Sequence, residues 1–330
     1  MKKYFVLILI TTLLFSCRKD KPVDGPSLTN IFGAFSVLTG LDASSDAVDF
    51  AAGETVYFTA ELSKTSAWQL RITGLTSGAE KIVTGLNQSI NAEAYVWDGS
   101  TTELPMFKSE FCQVELSFPD EPDTDTILLD TIEILTPKVN QGFLVADFEN
   151  GFDAGWSTFL QSGALMDFQV KNDVALSAEG GSYYNMQGEV TWDWLVGLVN
   201  FKSSAYGVPT FPLNANPDVV YFNAMIYGEP GFPNSLVLFQ FDEDDNEDGV
   251  FDEASEDRYA YEIQVTWSGW KQVSMSYTDI AALVAASGNQ VPEPNKLKDI
   301  NMLHLANPAS GLAKSKLDYI IFTENGALNP

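Results

Sequence analysis

The chain has 330 residues, a net charge of −27 at neutral pH, two cysteines and one histidine. The length predicts about two domains, and so acidic a surface would repel phosphate backbones, which excludes nucleic acid as a partner. The single histidine, His304, lies in the apolar run Met302–Leu305, which favours a packed strand position over a place in a Ser/His/Asp triad. One histidine cannot build a multi-histidine zinc site.

The first segment is basic and then apolar. Two lysines precede the uncharged run Tyr4–Phe15, which ends beside Ser16 and Cys17. The run is shorter than the roughly 20 residues that a membrane-spanning helix needs. It resembles a bacterial lipoprotein signal, which implies cleavage before Cys17 and diacylation of that cysteine. We therefore expect a signal peptide over 1–16, a tether over 17–27 and a lipid-anchored protein; an ordinary secretory signal is the alternative.

Residues 28–138 are predicted to form an immunoglobulin-like β-sandwich. Thr55–Leu62 alternates apolar and polar side chains, and the alternation returns from Trp68 onward, as expected of strands with one buried face. Trp97 begins a Trp-Asp-Gly turn, and both tryptophans are expected in the core. Cys112 occupies an apolar position of another alternating run, so we expect a buried thiol without a catalytic role or a disulfide partner.

The acidic, proline-containing stretch Pro119–Asp125 interrupts this pattern, and a second all-β domain is expected over 139–330. A short helix is predicted there, with Ser276 and Asp279 as a capping box and Gly288 as its end. The predicted strands are Phe143–Glu149, Ser182–Val190, Val219–Tyr227, Leu236–Phe241, Tyr259–Val265, Trp270–Tyr277 and Leu317–Thr323.

The order of these segments resembles that of carbohydrate-binding modules with a galactose-binding-like jelly roll. The segments that carry the resemblance are Val145–Glu149, Ala178–Tyr184, Ser268–Val273 and Leu317–Phe322. With the lipoprotein signal and the immunoglobulin-like region, the chain as a whole resembles surface glycan-binding lipoproteins of the Sus-type polysaccharide systems of Bacteroidota. The resemblance implies a C-terminal jelly-roll β-sandwich and a location at the outer membrane, exposed at the cell surface.

An acidic loop between two predicted strands has the spacing of a calcium-binding loop. The pattern D-x-N-x-D-G-x-x-D matches the first nine positions of an EF-hand-type loop, in which side-chain oxygens and one backbone carbonyl surround Ca²⁺. The twelfth position is Ser255, so Glu253 or Glu256 would have to complete the site. A solvated acidic loop is the alternative. The predicted ligands are Asp244, Asn246, Asp248, Val250 and Asp252.

A second Ca²⁺ site is implied by the resemblance alone. Galactose-binding-like modules often hold a structural ion between a carboxylate near the first strand and another on the last strand. Glu149 and Asp318 occupy these positions, and Asp173 is a further candidate. The expected cofactor is therefore one or two structural calcium ions.

Aromatic side chains are the candidate sugar-binding groups, because sugar rings stack on indole and phenol rings. Thr191–Trp194 is predicted to place Trp192 and Trp194 on one face of a strand, with Asp193 on the other. A core position is the alternative for any one ring. The other candidates are Trp156, Tyr183, Tyr206, Phe211, Tyr221 and Asn223.

These features predict a non-catalytic surface lipoprotein that binds a polysaccharide or oligosaccharide and is attached to the membrane by its lipid. A glycoside hydrolase or lyase is one alternative, although the chain has neither an E-x-D-x-x-E arrangement nor a G-x-S-x-G nucleophile elbow. An adhesin or a structural component of an outer-membrane uptake complex is another. Fold analogy cannot choose between them.

Overall fold

The computed structural model describes residues 33–121 and 127–330. The predicted signal peptide, the tether and Cys17 lie outside these residues. The strands are β1 Val37–Ala43, β2 Ala47–Asp49, β3 Val56–Gly74, β4 Glu80–Ile90, β5 Val96–Trp97, β6 Phe111–Ser117, β7 Ile127–Thr136, β8 Phe143–Ala146, β9 Ser157–Leu160, β10 Ala164–Asn172, β11 Ser182–Val190, β12 Leu195–Lys202, β13 Val220–Gly228, β14 Leu236–Glu243, β15 Arg258–Gln264, β16 Gly269–Ser276, β17 Leu297–Leu305 and β18 Gly311–Glu324.

The first seven strands form sheet 1, in the order β1-β3-β6-β7-β2, with β4 and β5 also paired to β3. Strand β3 joins the two strands that the sequence pattern predicts separately. Its register against β4 shifts between Glu61 and Ser66, and apolar residues on both sides of that shift enter one core. Trp68 and Trp97 lie in this core, as predicted, and Cys112 is buried there as a free thiol.

The remaining strands form a β-sandwich, so the predicted all-β class is confirmed. Sheet 2 has the order β10-β11-β18-β13-β16, with β8 paired to β18, and sheet 3 has the order β15-β14-β17-β12-β9. The alternating residues of the two sheets meet in one core, which Phe201, Phe222, Phe239 and Phe322 help to fill. The chain passes from sheet 1 to sheet 2 between Thr136 and Phe143.

Helix α1 spans Tyr277–Leu283 and begins at the predicted capping box. The backbone N–H of Asp279 donates to Ser276 Oγ (3.1 Å), and that hydroxyl donates to Asp279 Oδ2 (2.6 Å). The helix ends at Leu283, so the prediction that Gly288 ends it is wrong. Within the described ranges, no helix is long and apolar enough to cross a membrane.

Part of the outer face of sheet 2 is covered by other segments of the chain. Met106, from the region of sheet 1, packs with Met225, Tyr319 and Leu328, and its backbone N–H donates to the carbonyl of Ala178 (2.7 Å). This cover closes the middle of sheet 2.

Candidate ligand-binding face

The outer face of sheet 3 carries polar side chains in register across its strands. Alternation along β12, β14, β15 and β17 turns the apolar residues into the core and the intervening residues outward. Antiparallel pairing then aligns the outward residues into rows that run across the sheet. One row is Lys202, Asp299, Asp242 and Arg258, and the next is Ser157, Asn200, Asn301, Gln240 and Ala260.

A continuous hydrogen-bond chain crosses four strands of this face. Arg258 donates to Asp242 twice, from Nε to Oδ1 (2.5 Å) and from Nη2 to Oδ2 (2.8 Å). Asn301 Nδ2 donates to the same Asp242 Oδ2 (2.7 Å), and Asn200 Nδ2 donates to Asn301 Oδ1 (2.6 Å). The four side chains are thus held in fixed orientations, which lowers the entropy lost when a ligand binds.

Three further side chains of the face take no part in this hydrogen-bond chain. Gln240, Lys202 and Asp299 are half-buried, and none of their side chains has a hydrogen-bond or ion-pair partner among the described residues. Burial, reinforced by the charge of Asp242, raises the pKa of Asp299. An amide, an ammonium and a carboxyl group therefore remain available to the hydroxyl groups of a ligand.

The face becomes apolar towards its other end. The third row aligns Phe159, Leu198, Leu303 and Leu238, of which Phe159 is about half exposed. A surface that passes from amides and charges to aliphatic and aromatic groups offers both hydrogen bonds and apolar contact.

Trp192 and Trp194 lie at this apolar end, in the loop between β11 and β12, and not on a strand as predicted. They are 64% and 59% exposed. Asp193, between them, accepts hydrogen bonds from Gln161 Nε2 (2.9 Å) and the Trp194 N–H (2.6 Å), and the Trp194 carbonyl accepts from the Ala306 N–H (2.7 Å). The loop is thus tied to its neighbours while both indole rings remain largely in solvent.

Trp156, Tyr206 and Phe211 are packed side chains, contrary to the sequence-based expectation of a sugar-binding surface. The Trp156 ring lies 5.0 Å from the ring of Phe201, and Phe211 is fully buried. Tyr206 donates its hydroxyl to the Val145 carbonyl. Trp156 and Tyr206 line a cavity of about 220 Å³ beside Val145.

Tyr183, Tyr221 and Asn223 belong to the outer face of sheet 2, so the structure does not bring them to the two exposed tryptophans. Asn223 is fully buried, and its amide donates to the Ile321 carbonyl (3.2 Å) and to Thr323 Oγ1 (2.9 Å). A sugar hydroxyl cannot reach it. The placement of Asn223 in a ligand site is therefore corrected, because the cover over sheet 2 occupies that surface.

The predicted calcium loop folds around two buried carboxylates. Asp244 accepts from the N–H groups of Asp248 (3.1 Å) and Gly249 (2.9 Å), and Gly249 has the positive φ of 85° that the turn requires. Glu256 accepts from the N–H of Asn246 (3.3 Å) and of Asp252 (2.7 Å). Asn246, Asp248 and Asp252 are exposed, as is Val250. The loop is ordered by its own carboxylates.

Glu149, in the turn that follows β8, and Asp318, on β18, approach one short segment of the chain. Glu149 Oε1 accepts from the N–H groups of Gly181 (2.8 Å) and Ser182 (2.7 Å), and Asp318 Oδ2 accepts from the N–H of Ala178 (2.9 Å). Asp318 is fully buried, and burial raises its pKa. The exposed Asp173 instead accepts a hydrogen bond within its own turn, from the Ala175 N–H (3.1 Å).

The same region already contains a cationic side chain. The buried Lys108, which comes from the region of sheet 1, donates its ammonium group to the carbonyl of Val174 and to the carbonyl (3.2 Å) and hydroxyl (2.7 Å) of Ser177. Burial lowers the pKa of Lys108, and nearby carboxylates, Asp318 foremost, oppose that change. Burial and neighbouring acids raise the pKa of Glu179 to about 7. Lys108 thus supplies positive charge where the resemblance implies a Ca²⁺ ion.

The polar rows of sheet 3 are not apparent from the amino-acid sequence. Asn200 and Asn301 lie 101 residues apart, and only strand register brings their side chains together. The available signal is an amide among apolar residues in each of β12 and β17, and such a pattern is common in half-buried strands.

No family model matches the chain, and no curated protein matches it. Among solved structures, one from a study of promiscuous specificity in carbohydrate-binding modules of the β-sandwich superfamily matches at a TM-score of 0.37 and 11% identity, over 88% of this chain and 98% of the other. A family 11 carbohydrate-binding module from Clostridium thermocellum, in complex with a β-1,3-1,4-mixed-linked tetrasaccharide, matches at 0.38 and 17%, over 58% and 99%. SGBP-B from a complex xyloglucan utilization locus in Bacteroides uniformis matches at 0.35 and 10%, over 88% and 73%.

Proposed function

We propose that this protein binds a polysaccharide along the outer face of sheet 3 and does not cleave it. The observation that carries the proposal is the hydrogen-bond chain from Arg258 through Asp242 and Asn301 to Asn200, on the sheet whose strand β12 is preceded by two exposed tryptophans. Amides, a carboxylate and a guanidinium suit sugar hydroxyls, and indole rings suit the C–H faces of sugar rings.

The dimensions of the face favour a chain of sugars over a single one. Trp194 directly precedes β12, and Lys202 is the last residue of that strand. At about 3.3 Å per residue, the two residues lie roughly 25 Å apart. A ligand that touches both ends must be extended. The exposed rings would contribute about 1 kcal/mol or more each beyond their burial.

The setting of this binding activity is part of the proposal. Diacylated Cys17 would attach the protein to the outer membrane, facing the cell surface, beside an uptake complex for the bound glycan. Calcium in the loop Asp244–Asp252 would stabilise the end of sheet 3. The backbone hydrogen bonds that fold this loop around Asp244, together with its turn at Gly249, support that ion.

Affinity electrophoresis of the mature protein against a panel of neutral and acidic polysaccharides tests the function. We expect at least one polysaccharide to retard the protein, and Trp192→Ala, Trp194→Ala and Asn301→Ala each to reduce that retardation. Phe111→Ala is the matched control, because Phe111 is an exposed aromatic residue of sheet 1 and should bind like the wild type. Melting temperatures of the two tryptophan variants should stay near that of the wild type.

The other possible outcomes indicate a different binding surface or a different function. Retardation that survives all three substitutions would exclude the outer face of sheet 3 as the binding surface. Release of reducing ends from the retained polysaccharide would favour a glycoside hydrolase, and release of unsaturated products a lyase. No retardation by any polysaccharide would favour the adhesin or structural role.

A further inference from the structure

Three carboxylates meet where sheet 3 borders helix α1. Glu243 ends β14, Asp245 follows it, and Asp257 directly precedes β15. One oxygen from each lies within 4.8 Å of the others. Ligand oxygens bound to one Ca²⁺ at 2.3 to 2.6 Å can be no farther apart than about that distance. Glu243 and Asp257 are fully buried, and Asp245 is half-buried.

Two oxygens in this group have no partner although the carboxylates that bear them are held in place. Glu243 Oε2 and Asp245 Oδ1 are buried without a hydrogen-bond partner in the described part of the chain. Glu243 Oε1, in contrast, accepts from the Tyr277 hydroxyl (2.7 Å) and the Glu293 N–H (2.9 Å). One oxygen of the Glu243 carboxylate is thus fixed by two donors while the other is left without one.

The other two carboxylates are fixed in the same way. Asp257 Oδ1 accepts from the Gly288 N–H (2.7 Å), its Oδ2 accepts from the Tyr259 hydroxyl (3.1 Å), and its own N–H donates to Asp245 Oδ2 (3.1 Å). A Cβ atom on Gly288 would lie 2.3 Å from Asp245 Oδ2 and 2.6 Å from Asp257 Oδ1. The backbone at Gly288 therefore closes directly over the group.

Lys296, the nearby basic side chain, contacts groups other than the three carboxylates. Lys296 donates its ammonium group to the backbone carbonyl of Asp245 (3.1 Å) and pairs with Glu293 Oε2 (3.1 Å). Neither contact involves a carboxylate of the group. Three carboxylates in a low-dielectric setting repel one another unless a cation compensates them.

We propose that Glu243, Asp245 and Asp257 bind one divalent cation, and that this cation is Ca²⁺. The hard carboxylate oxygens suit Ca²⁺, and water molecules or carbonyl groups would complete its six to eight ligands. This site is distinct from the predicted loop site. The Asp244 carboxylate accepts hydrogen bonds from N–H groups of its own loop, whereas the Glu243 carboxylate accepts one from the Tyr277 hydroxyl.

Such an ion would join the end of β14, the start of β15 and the segment after α1. The residues next to its ligands are Asp242 and Arg258, which belong to one row of the proposed sugar-binding face. The cation would therefore order one end of that face. Its existence does not depend on glycan binding, and its test uses the metal alone.

The experiment is a calorimetric titration of the demetallated mature chain with CaCl₂ and, separately, MgCl₂, together with melting temperatures with and without 1 mM CaCl₂. We expect calcium to bind and to raise the melting temperature, and Glu243→Gln and Asp257→Asn each to weaken that binding at least tenfold. Asp248→Asn is the matched comparison: it removes a carboxylate of the predicted loop site and should leave unchanged the binding event that Glu243→Gln and Asp257→Asn weaken.

The variants also separate a metal site from a merely structural group. Glu243→Gln should leave the demetallated protein at least as stable as the wild type, because the amide keeps the size of the side chain and removes an acid from beside Asp245 and Asp257. If that variant fails to fold, Asp245→Asn at the half-buried position provides the same test. Full calcium binding in the Glu243 and Asp257 variants with loss in Asp248→Asn would move the ion to the loop. No calcium heat in the wild type would overturn the proposal.

Discussion

Arg258 and Asp242 form a bidentate ion pair on adjacent strands of sheet 3, with N–O distances of 2.5 and 2.8 Å. The Asp242 side chain is almost fully buried, and the Arg258 guanidinium lies over the ring of Phe251 at 4.7 Å. Because Asn301 also donates to Asp242, this pair anchors one end of the hydrogen-bond chain. Its geometry links the stability of the sheet to the order of the proposed binding face.

Loss of one partner of this pair should be costly. Arg258→Met leaves the Asp242 carboxylate buried with only the Asn301 amide, and we expect the free energy of unfolding to fall by about 3 kcal/mol. The double variant Asp242→Asn/Arg258→Met should recover part of that loss, because no uncompensated charge remains. Urea unfolding of the single and double variants measures the coupling. Equal losses in Arg258→Met and the double variant would contradict it.

Lys108 should be essential to the contact between the region of sheet 1 and sheet 2. Lys108→Met removes the donor to two carbonyls and a hydroxyl and leaves Asp318 and its acidic neighbours without this positive charge, so we expect a loss of about 2 to 4 kcal/mol. Lys138→Met is the control, because Lys138 forms an ion pair with the half-exposed Asp98 and should cost less than about 1 kcal/mol.

Calcium provides a second measurement on the Lys108 variant. Urea unfolding in chelator isolates the contribution of the ammonium group, and repetition in 1 mM CaCl₂ tests the ion implied beside Glu149 and Asp318. Stability restored by calcium would support that ion. A Lys108→Met protein as stable as the wild type in chelator would show that the acids there need no cation.

The sequence pattern predicts much of this fold, and the omissions have physical causes. Strand β11 has the predicted bounds, since polar and apolar residues alternate cleanly there. The predicted strands of the second domain do not include β9, β10, β12 and β17, although a strand position is expected at His304. Gly197 interrupts the pattern of β12, and Leu303 and Leu305 place apolar residues on the outer face of β17.

The candidate sites were harder to predict, because they depend on register between distant strands. The amides of Asn200 and Asn301 meet only through pairing of β12 with β17. The register of β14 against β17 shifts between Asp242 and Glu243, and both residues are buried. This shift changes which acids of the following loop face inward. The calcium-loop spacing alone therefore does not reveal the group of Glu243, Asp245 and Asp257.

Cys17 should attach the protein to the membrane. Since this cysteine follows an uncharged run and Ser16, we expect Cys17→Ala to move the protein from the membrane fraction to the soluble fraction. Cys112→Ala is the matched control, because the second cysteine is buried in the core and should not affect attachment. Fractionation with high-salt washing and immunoblotting measures both. A Cys17→Ala protein that still sediments with membranes would contradict the lipid anchor.

His304 should make the protein less stable as the pH falls. Burial lowers the pKa of His304 to about 3 from its ordinary value of 6.5, and neither ring nitrogen has a hydrogen-bond partner in the described residues. Between these values the unfolded chain binds more protons than the folded one, so acid favours unfolding. This group alone should cost about 2 kcal/mol between pH 7 and pH 5. Urea unfolding of wild type and His304→Leu at both pH values isolates it, because the titrations of the carboxylates cancel in the difference. A difference between the two proteins that does not change with pH would show that His304 gains its proton without unfolding.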